Sequence, residues 1–470
     1  MLTLGHIIKP IANYKATGSE PAVVSVVMDS REVVSGSVFV AYKGENVDGH
    51  DYVTQAFANG AIAALVERPL SADFQTVDLR NADDELSFDF TRPICLLVDD
   101  AITALQTAAK AWRNRFDVEV IGITGSVGKT STKELTHAVL SQKYRTFKSP
   151  GNRNSILGLP MALFGLREHH EKAVLEMAMY VPGEIKTLCT MSSPQVGLVT
   201  LIGAVHMERA GSMEAIVAAK QELVEALPAD GVAILNKDDE RVMGMADHTH
   251  ARIFTYGLDP TADVWADNIQ SMGLDGIRFT LHHKHEAMTV NVPLLGRHSV
   301  HTSLRAAAVG LVEGLSWDQI VRGLQATAVQ LKLVTVPGPK NSTIIDDTYN
   351  ANPESMMAAL NLLADLQGRH IAVLGDMLEL GPVEEQSHRL IGRRAADVAQ
   401  RLITVGRRAE WIAEEAIKVG MPENHVIKVK DSETAVPILE SIIAERDMIL
   451  VKGSLGMQMD KIINAVGRYN

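Results

Sequence analysis

The residues best placed to do chemistry stand together at Thr124-Gly125-Ser126-Val127-Gly128-Lys129-Thr130-Ser131. An apolar, β-branched run from Val118 leads straight into them, and a helical pattern with Leu135, Val139 and Leu140 on one face follows. Glycines let backbone N–H groups turn inward around phosphate oxygens, and a helix start adds partial positive charge. Lys129 would neutralise β/γ charge and the Thr130 hydroxyl would ligate Mg²⁺. The spacing predicts a P-loop in which Gly125, Ser126, Val127, Gly128, Lys129, Thr130 and Ser131 hold a nucleoside triphosphate. Ile123 stands where the longer P-loop has its first glycine, so this is the short Gly-x-x-Gly-Lys-Thr form. The plainer alternative is a glycine-rich turn with a surface lysine. The strand before and the helix after argue against it.

Asn236-Lys237-Asp238-Asp239 matches the guanine-reading motif Asn-Lys-x-Asp. A GTPase also needs an Asp-x-x-Gly switch between the two motifs. The only aspartate between Ser131 and Asn236 is Asp230, and Ala233 stands three residues later. The guanine reading therefore fails, which leaves this segment as a polar turn ending a strand.

The elements that must position these groups recur along the whole chain. The first section holds the runs Ser37 to Gly44, Ala61 to Glu67 and Ile94 to Asp100, with a polar stretch from Ser71 to Phe90 that reads as a loop. The second holds Val118 to Thr124, Gly231 to Asn236 and Arg252 to Gly257, then an alternating pattern from Phe279 to Leu294 that suits an antiparallel hairpin. The third holds Ser342 to Asp347, His370 to Asp376, Arg401 to Gly406, His425 to Val429 and Asp447 to Ser454. Nearly continuous β-branched runs between helical patterns suit parallel strands covered on both faces. The expected fold is α/β with three consecutive α/β domains, 1–105, 106–330 and 331–470. The central one is a P-loop ATPase domain with a mostly parallel sheet, and the last is Rossmann-like.

Bulk composition narrows the partners. With 470 residues, 46% hydrophobic and 22% charged, the chain is globular and too long for one core. A formal net charge of −12 argues against nucleic acid as a partner. Cys95 and Cys189 have no metal-ligand spacing and fit a reducing compartment. No run reaches the roughly 18 apolar residues of a membrane span, and the N-terminus lacks a signal-peptide pattern. A cytoplasmic monomer without membrane insertion is expected.

Beyond the phosphate loop, further segments resemble the Mur ligase family along nearly the whole chain. Gly151-Asn152-Arg153-Asn154 with Gly158-Leu159-Pro160 is similar to the family's Gly-Asn-x-Asn and Gly-x-Pro. Glu176 ends a strand as the family's Mg²⁺-binding glutamate does. His206 in Ala-Val-His-Met-Glu resembles its metal-binding histidine, and Lys220 in Ala-Ala-Lys-Gln-Glu-Leu the lysine it carbamylates. Asp346-Asp347-Thr348-Tyr349-Asn350-Ala351-Asn352-Pro353 and Val373 to Gly381 resemble the branch that uses D-alanyl-D-alanine. Asp29-Ser30-Arg31, Gly44 and Asp48-Gly49-His50 resemble the module holding the UDP-sugar end of the substrate.

The resemblance implies an ATP-dependent amide ligase of peptidoglycan precursor synthesis, working through an acyl phosphate. Its substrates would be a UDP-muramoyl-peptide and D-alanyl-D-alanine. Lys129, Glu176, His206 and Lys220 would be catalytic. Two Mg²⁺ are implied, one on Thr130 and Glu176, the other on His206 and carbamylated Lys220. Asp347, Tyr349, Asn350 and Asn352 would contact ATP. Ser30, Arg31, Gly44, Asp48, His50, Asn152 and Asn154 would contact the substrate. Asp376 and Glu379 either act in the site or cap the next helix. The family's Gly-x-His-Asn-x-x-Asn reads Gly296-Arg297-His298-Ser299-Val300-His301-Thr302 here, without either asparagine. Its arginines before the third domain and after Lys-Gly-Ser are Lys332 and Leu455. Arg407, Arg408 or Lys452 could supply the missing cation. A different amine substrate, or an ATP-binding protein without ligase activity, are the alternatives.

Overall fold

In the structure, a computed structural model, every residue is described except 13, 45–46, 81–85, 87, 205–206, 327–333 and 468–470. The described chain packs into two units. One comprises 1–122, 144–178 and 183–195, the other 123–143, 179–182 and 196–470.

The first unit carries β1 (Ser25–Val27), β2 (Ser37–Val40), β3 (Ala63–Val66), β4 (Gln75–Asp78) and β5 (Ile94–Leu97) in one parallel sheet, ordered β1-β2-β3-β5-β4. Val38, Phe39, Val40 and all of β3 are at most 1% exposed, so both faces of these strands are covered. That coverage is why they read as unbroken apolar runs rather than alternating ones. The stretch Ser71 to Phe90 is not all loop, because β4 lies within it and pairs with β5. Val77 is its one aliphatic residue, and an edge strand with half-buried side chains leaves little apolar signal. β6 (Glu119–Thr124) begins in this unit, which also holds the parallel pair β7 (Thr146–Lys148) and β8 (Lys172–Glu176).

In the second unit β9 (Val196–Val199), β10 (Val232–Asn236), β11 (Arg252–Gly257) and β12 (Val264–Ser271) pair in parallel. β13 (Ile277–His283) and β14 (Glu286–Val292) continue the sheet as the expected antiparallel hairpin. A separate sheet runs β15 (Val334–Pro337), β16 (Thr343–Asp347), β20 (Met448–Lys452), β17 (His370–Gly375), β18 (Arg401–Val405), β19 (Val426–Val429). Only β15 is antiparallel within it. Neighbours along a strand face opposite cores: Ile345 and Leu374 join one cluster, Ile344 and Val373 the other. Truncating Leu374, fully buried, to alanine would cost about 2–5 kcal/mol.

From β16 through β19 the chain steps one way across this sheet, then returns to insert β20 beside β16. Such a reversal parts the loops at the carboxyl ends of the strands, where open α/β sheets receive ligands. Those loops carry Asp347, Asp376 and Ser454. Among the described residues, no helix is long and apolar enough to cross a membrane.

Candidate active site

The phosphate loop is built as its sequence predicts. The helix Lys129–Leu140 follows β6, with Gly128 as its left-handed N-cap at φ 85°. Gly125 has φ +137°, and a Cβ there would lie 1.9 Å from Thr200 Oγ1. No side chain fits that position, so the glycine permits both the turn and the contact. Lys129 Nζ donates to Gly125 O at 2.7 Å and to Ser126 O at 3.2 Å, which holds the ammonium over the loop. Leu135, Val139 and Leu140 are fully buried and fix the helix beneath it.

A second loop, after β9, braces the first. Ser126 N donates to Leu201 O at 2.8 Å, Gly203 N to Ser126 Oγ at 2.9 Å, and Thr200 Oγ1 to Val127 O at 2.7 Å. The turn after β10 braces the brace: Asn236 Nδ2 donates to Thr200 O at 3.1 Å and Asp239 Oδ2 accepts from Ile202 N at 2.8 Å. Asn236 to Asp239 is thus the polar turn expected, but it also fixes the geometry of the phosphate loop two shells away. A cleft of about 630 Å³ opens beside Val127 and Gly128, with Asn236, Asp238, His301 and Arg305 among its walls. Thr200, Arg305 and His301 lie outside every role that the sequence motifs imply. The strand-end position of Thr200 was the one visible signal.

Lys220 sits on the helix Met213–Glu225 and is 3% exposed. Burial, and then the nearby charge of Lys129, hold its amine well below the usual lysine range. A neutral buried amine is a nucleophile for CO₂, and the resulting carbamate would give Lys129 an anionic neighbour. The residue therefore fits the modification that the resemblance implies. Glu176 ends β8 in the first unit and is 2% exposed. Asn154 Nδ2 donates to its Oε1 at 2.8 Å, and its own backbone N–H donates to Ser149 Oγ at 3.3 Å. Asn154 is thereby a partner of the glutamate, while Asn152 is exposed. His206 lies outside the described residues. No group of three or more His, Cys, Asp or Glu side chains placed to hold a metal occurs among the described residues. Mg²⁺ is a hard cation that takes oxygen donors, and the Thr130 hydroxyl, the Glu176 carboxylate and a carbamate on Lys220 are each donors of that kind.

In the third sheet, Asp347 Oδ2 pairs with Lys452 Nζ at 2.7 Å, and Lys452 Nζ also donates to Asn350 O at 2.8 Å. Asn350 itself is exposed and Tyr349 half-buried. Asn352 caps the helix Pro353–Asp365, its Oδ1 accepting from Ser355 N at 2.8 Å with Pro353 at the first turn. Asp376 is a joint: Oδ1 accepts from Ala409 N at 2.7 Å and its carbonyl from Ser454 N at 3.0 Å. Glu379 adopts φ 63° at the turn that follows. Of the three cations that could replace the missing arginine, Lys452 is 1% exposed and engaged, and Arg408 pairs with Glu384. Arg407 is exposed, with no carboxylate partner among the described residues. Leu455 is 66% exposed, and Lys332 lies outside the described residues.

The first unit's loops are ordered by side chain–backbone bonds. Asp29 accepts from Arg31 N at 2.9 Å and from Arg31 Nη2 at 2.6 Å. Ser30 Oγ reaches Gln55 Oε1 at 3.4 Å. Asp48 Oδ1 accepts from His50 N at 3.0 Å and from its Nδ1 at 2.6 Å, while His50 Nε2 accepts from Glu67 N at 2.9 Å. The backbone donor fixes the tautomer: Nδ1 carries the proton. His50 is 5% exposed, so it shapes the loop from within. Gly44 N donates to Val47 O at 2.9 Å.

Family models match the chain in three places. The Mur ligase family catalytic domain matches 22–95, the Mur ligase middle domain 123–310, and the Mur ligase glutamate ligase domain 333–455. The chain is 34% identical to UDP-N-acetylmuramoyl-tripeptide–D-alanyl-D-alanine ligase of Bacillus subtilis, over 93% of this chain and 92% of that one. It is 34% identical to the ligase of the same name from Escherichia coli, over 97% and 96%. Among solved structures, MurF from Acinetobacter baumannii is 30% identical, with a TM-score of 0.84 over 98% of both chains. The MurF ligase of Thermotoga maritima in complex with ADP is 27% identical, with a TM-score of 0.76 over 94% of this chain and 96% of that one. With all three domain models in order and likeness over 93–97% of its length, the chain belongs to the Mur ligase family.

Proposed function

We propose that this chain is the ATP-dependent ligase that adds D-alanyl-D-alanine to UDP-N-acetylmuramoyl-tripeptide in peptidoglycan synthesis, releasing ADP and phosphate. The observation that carries it is 34% identity to the Escherichia coli ligase of that name across 97% of this chain. The phosphate loop supports the ATP half of the reaction, since its glycines, brace and lysine are all in place. The tripeptide carboxylate attacks the γ-phosphorus and ADP leaves. The amine of the dipeptide then attacks the acyl phosphate, and inorganic phosphate leaves. A carboxylate alone has no adequate leaving group, which is the reason for the first step.

Gly125 to Ser131 would cradle the phosphates and Lys129 would neutralise charge developing on the transferred group. Mg²⁺, when bound, supplies further neutralisation of the phosphates. By the family resemblance, Thr130 and Glu176 would be ligands of one Mg²⁺, and His206 and carbamylated Lys220 ligands of a second. Asp347, Tyr349 and Asn350 would lie toward ATP, with Asn352 holding their loop in place. Ser30, Arg31, Gly44, Asp48 and Asn152 would serve the UDP-muramoyl-peptide. Arg407 is the cation we assign to the dipeptide carboxylate, given that Lys452 and Arg408 already have carboxylate partners. Domain boundaries near residues 105 and 331 complete this reading.

The test is ADP formation by the full chain with UDP-N-acetylmuramoyl-tripeptide and a panel of amines. D-Ala-D-Ala should stimulate it above D-Ala, L-Ala and other dipeptides. Stimulation by a different amine alone would transfer the chain to another branch of the family.

A further inference from the structure

Arg305 projects from the helix Ser299–Val312 into the wall of the cleft beside the phosphate loop and is 3% exposed. Its Nε donates to the Tyr256 hydroxyl at 3.0 Å and its Nη1 to Thr132 Oγ1 at 3.4 Å. The guanidinium carbon lies 5.6 Å from the Tyr256 ring centroid. Both polar partners are neutral. No carboxylate pairs with Arg305 among the described residues. Four acids line the cleft. Asp239 accepts from Ile202 N, Arg241 N and Val242 N, and Asp238 from Leu258 N, Asp259 N and His301, while Glu240 and Glu354 make no ion pair with Arg305.

A guanidinium is always charged and has five donors, of which these bonds use two. Burying such a charge without an anion is costly, and the cost is recovered when an anion arrives. The position says which anion. A Cβ on Gly128 would lie 2.7 Å from Arg305 Nη1, so the guanidinium rests against the glycine at the start of the phosphate-loop helix. We infer that Arg305 is a phosphate-binding residue of the nucleotide site, its guanidinium taking an oxygen of the ATP phosphate chain beside Gly128. This rests on the ATP-binding reading above.

The experiment measures equilibrium binding of adenosine, AMP, ADP and ATP, with Mg²⁺, to the full wild-type chain and to Arg305→Gln, Arg305→Lys and Lys129→Ala. Glutamine keeps a donor for Tyr256 but removes the charge. Arg305→Gln should bind ATP and ADP about 10- to 100-fold more weakly with adenosine unchanged, the range of a lost charge-assisted hydrogen bond. Arg305→Lys should lose less. ATP binding by Arg305→Gln equal to wild type, or an equal loss for adenosine, would overturn the inference. Loss of ATP in Lys129→Ala but not in Arg305→Gln leaves the P-loop reading intact and removes this one. A wild-type chain that binds no ATP removes both. If Arg305→Gln does not hold its fold, guanidinium NMR of the wild-type chain carries the test. Resonances assigned through Arg305→Lys should shift with ADP and not with adenosine, and their failure to move with ADP would refute the contact.

Discussion

Charge is used in opposite ways in the loops of the first unit and the cleft of the second. Asp29 accepts from the Arg31 guanidinium, and Asp48 from the backbone and ring N–H groups of His50, each partner only two residues away. Arg31 holds the Asp29 carboxyl down to about 2, and the His50 backbone N–H does the same for Asp48. In the second unit, Arg305 in the cleft wall and Lys220 near Lys129 are buried, and neither has a carboxylate partner among the described residues. Partners two residues apart order a turn and are satisfied with no ligand present. Buried cations without acids are stable only if neutralised, modified or met by an anion. The first arrangement builds a surface, and the second prepares for phosphate.

The strongest way to break this contrast is Lys129→Ala. Turnover should fall by about 10²–10³-fold or more, as for loss of a principal electrostatic group, with circular dichroism unchanged. Turnover near the wild-type rate would remove the phosphate-loop assignment.

Lys220 sharpens the contrast through pH. Its folded pKa lies well below the unfolded value of 10.5 because of burial and Lys129. Between those two values the unfolded chain binds the extra proton, so stability must rise with pH across that window. Thermal melts in bicarbonate-free buffer should show this slope, and Lys220→Met should flatten it while nearly abolishing turnover. An unchanged slope in the variant would show that the lysine is charged or exposed in the folded chain.

The smallest effect belongs to the first unit. Asp48 has its folded pKa depressed to about 2, so its contribution is present above the unfolded value and is lost as pH falls from about 4 toward 2. Asp48 is partly exposed, and Asp48→Asn should move Tm by about 2 °C or less at pH 7. A larger shift would mean that the loop pair is a principal source of stability after all.

The difference also sets what could be read from the sequence. The phosphate loop was legible because its parts are contiguous: strand, two glycines, lysine, helix. Its brace was not, since Thr200, Leu201 and Gly203 meet Ser126 and Val127 only through the sheet. Arg305 belongs to no motif in the sequence, and only the three-dimensional packing puts it against Gly128. The missing arginine at Leu455 was visible. That Lys452 is already committed to Asp347 was not, because β16 and β20 are adjacent in the sheet yet far apart in the chain. β4 was lost for the reverse reason: an edge strand needs little apolar sequence once β5 supplies its ladder.

Isotope transfer tests the central claim most directly. The full chain is given UDP-N-acetylmuramoyl-tripeptide labelled with ¹⁸O in the carboxylate that forms the amide, together with ATP, Mg²⁺ and D-Ala-D-Ala. Activation as an acyl phosphate predicts one ¹⁸O in the released inorganic phosphate and none in the adenine nucleotide. Label appearing in AMP, or remaining wholly in the amide product and solvent, would contradict it.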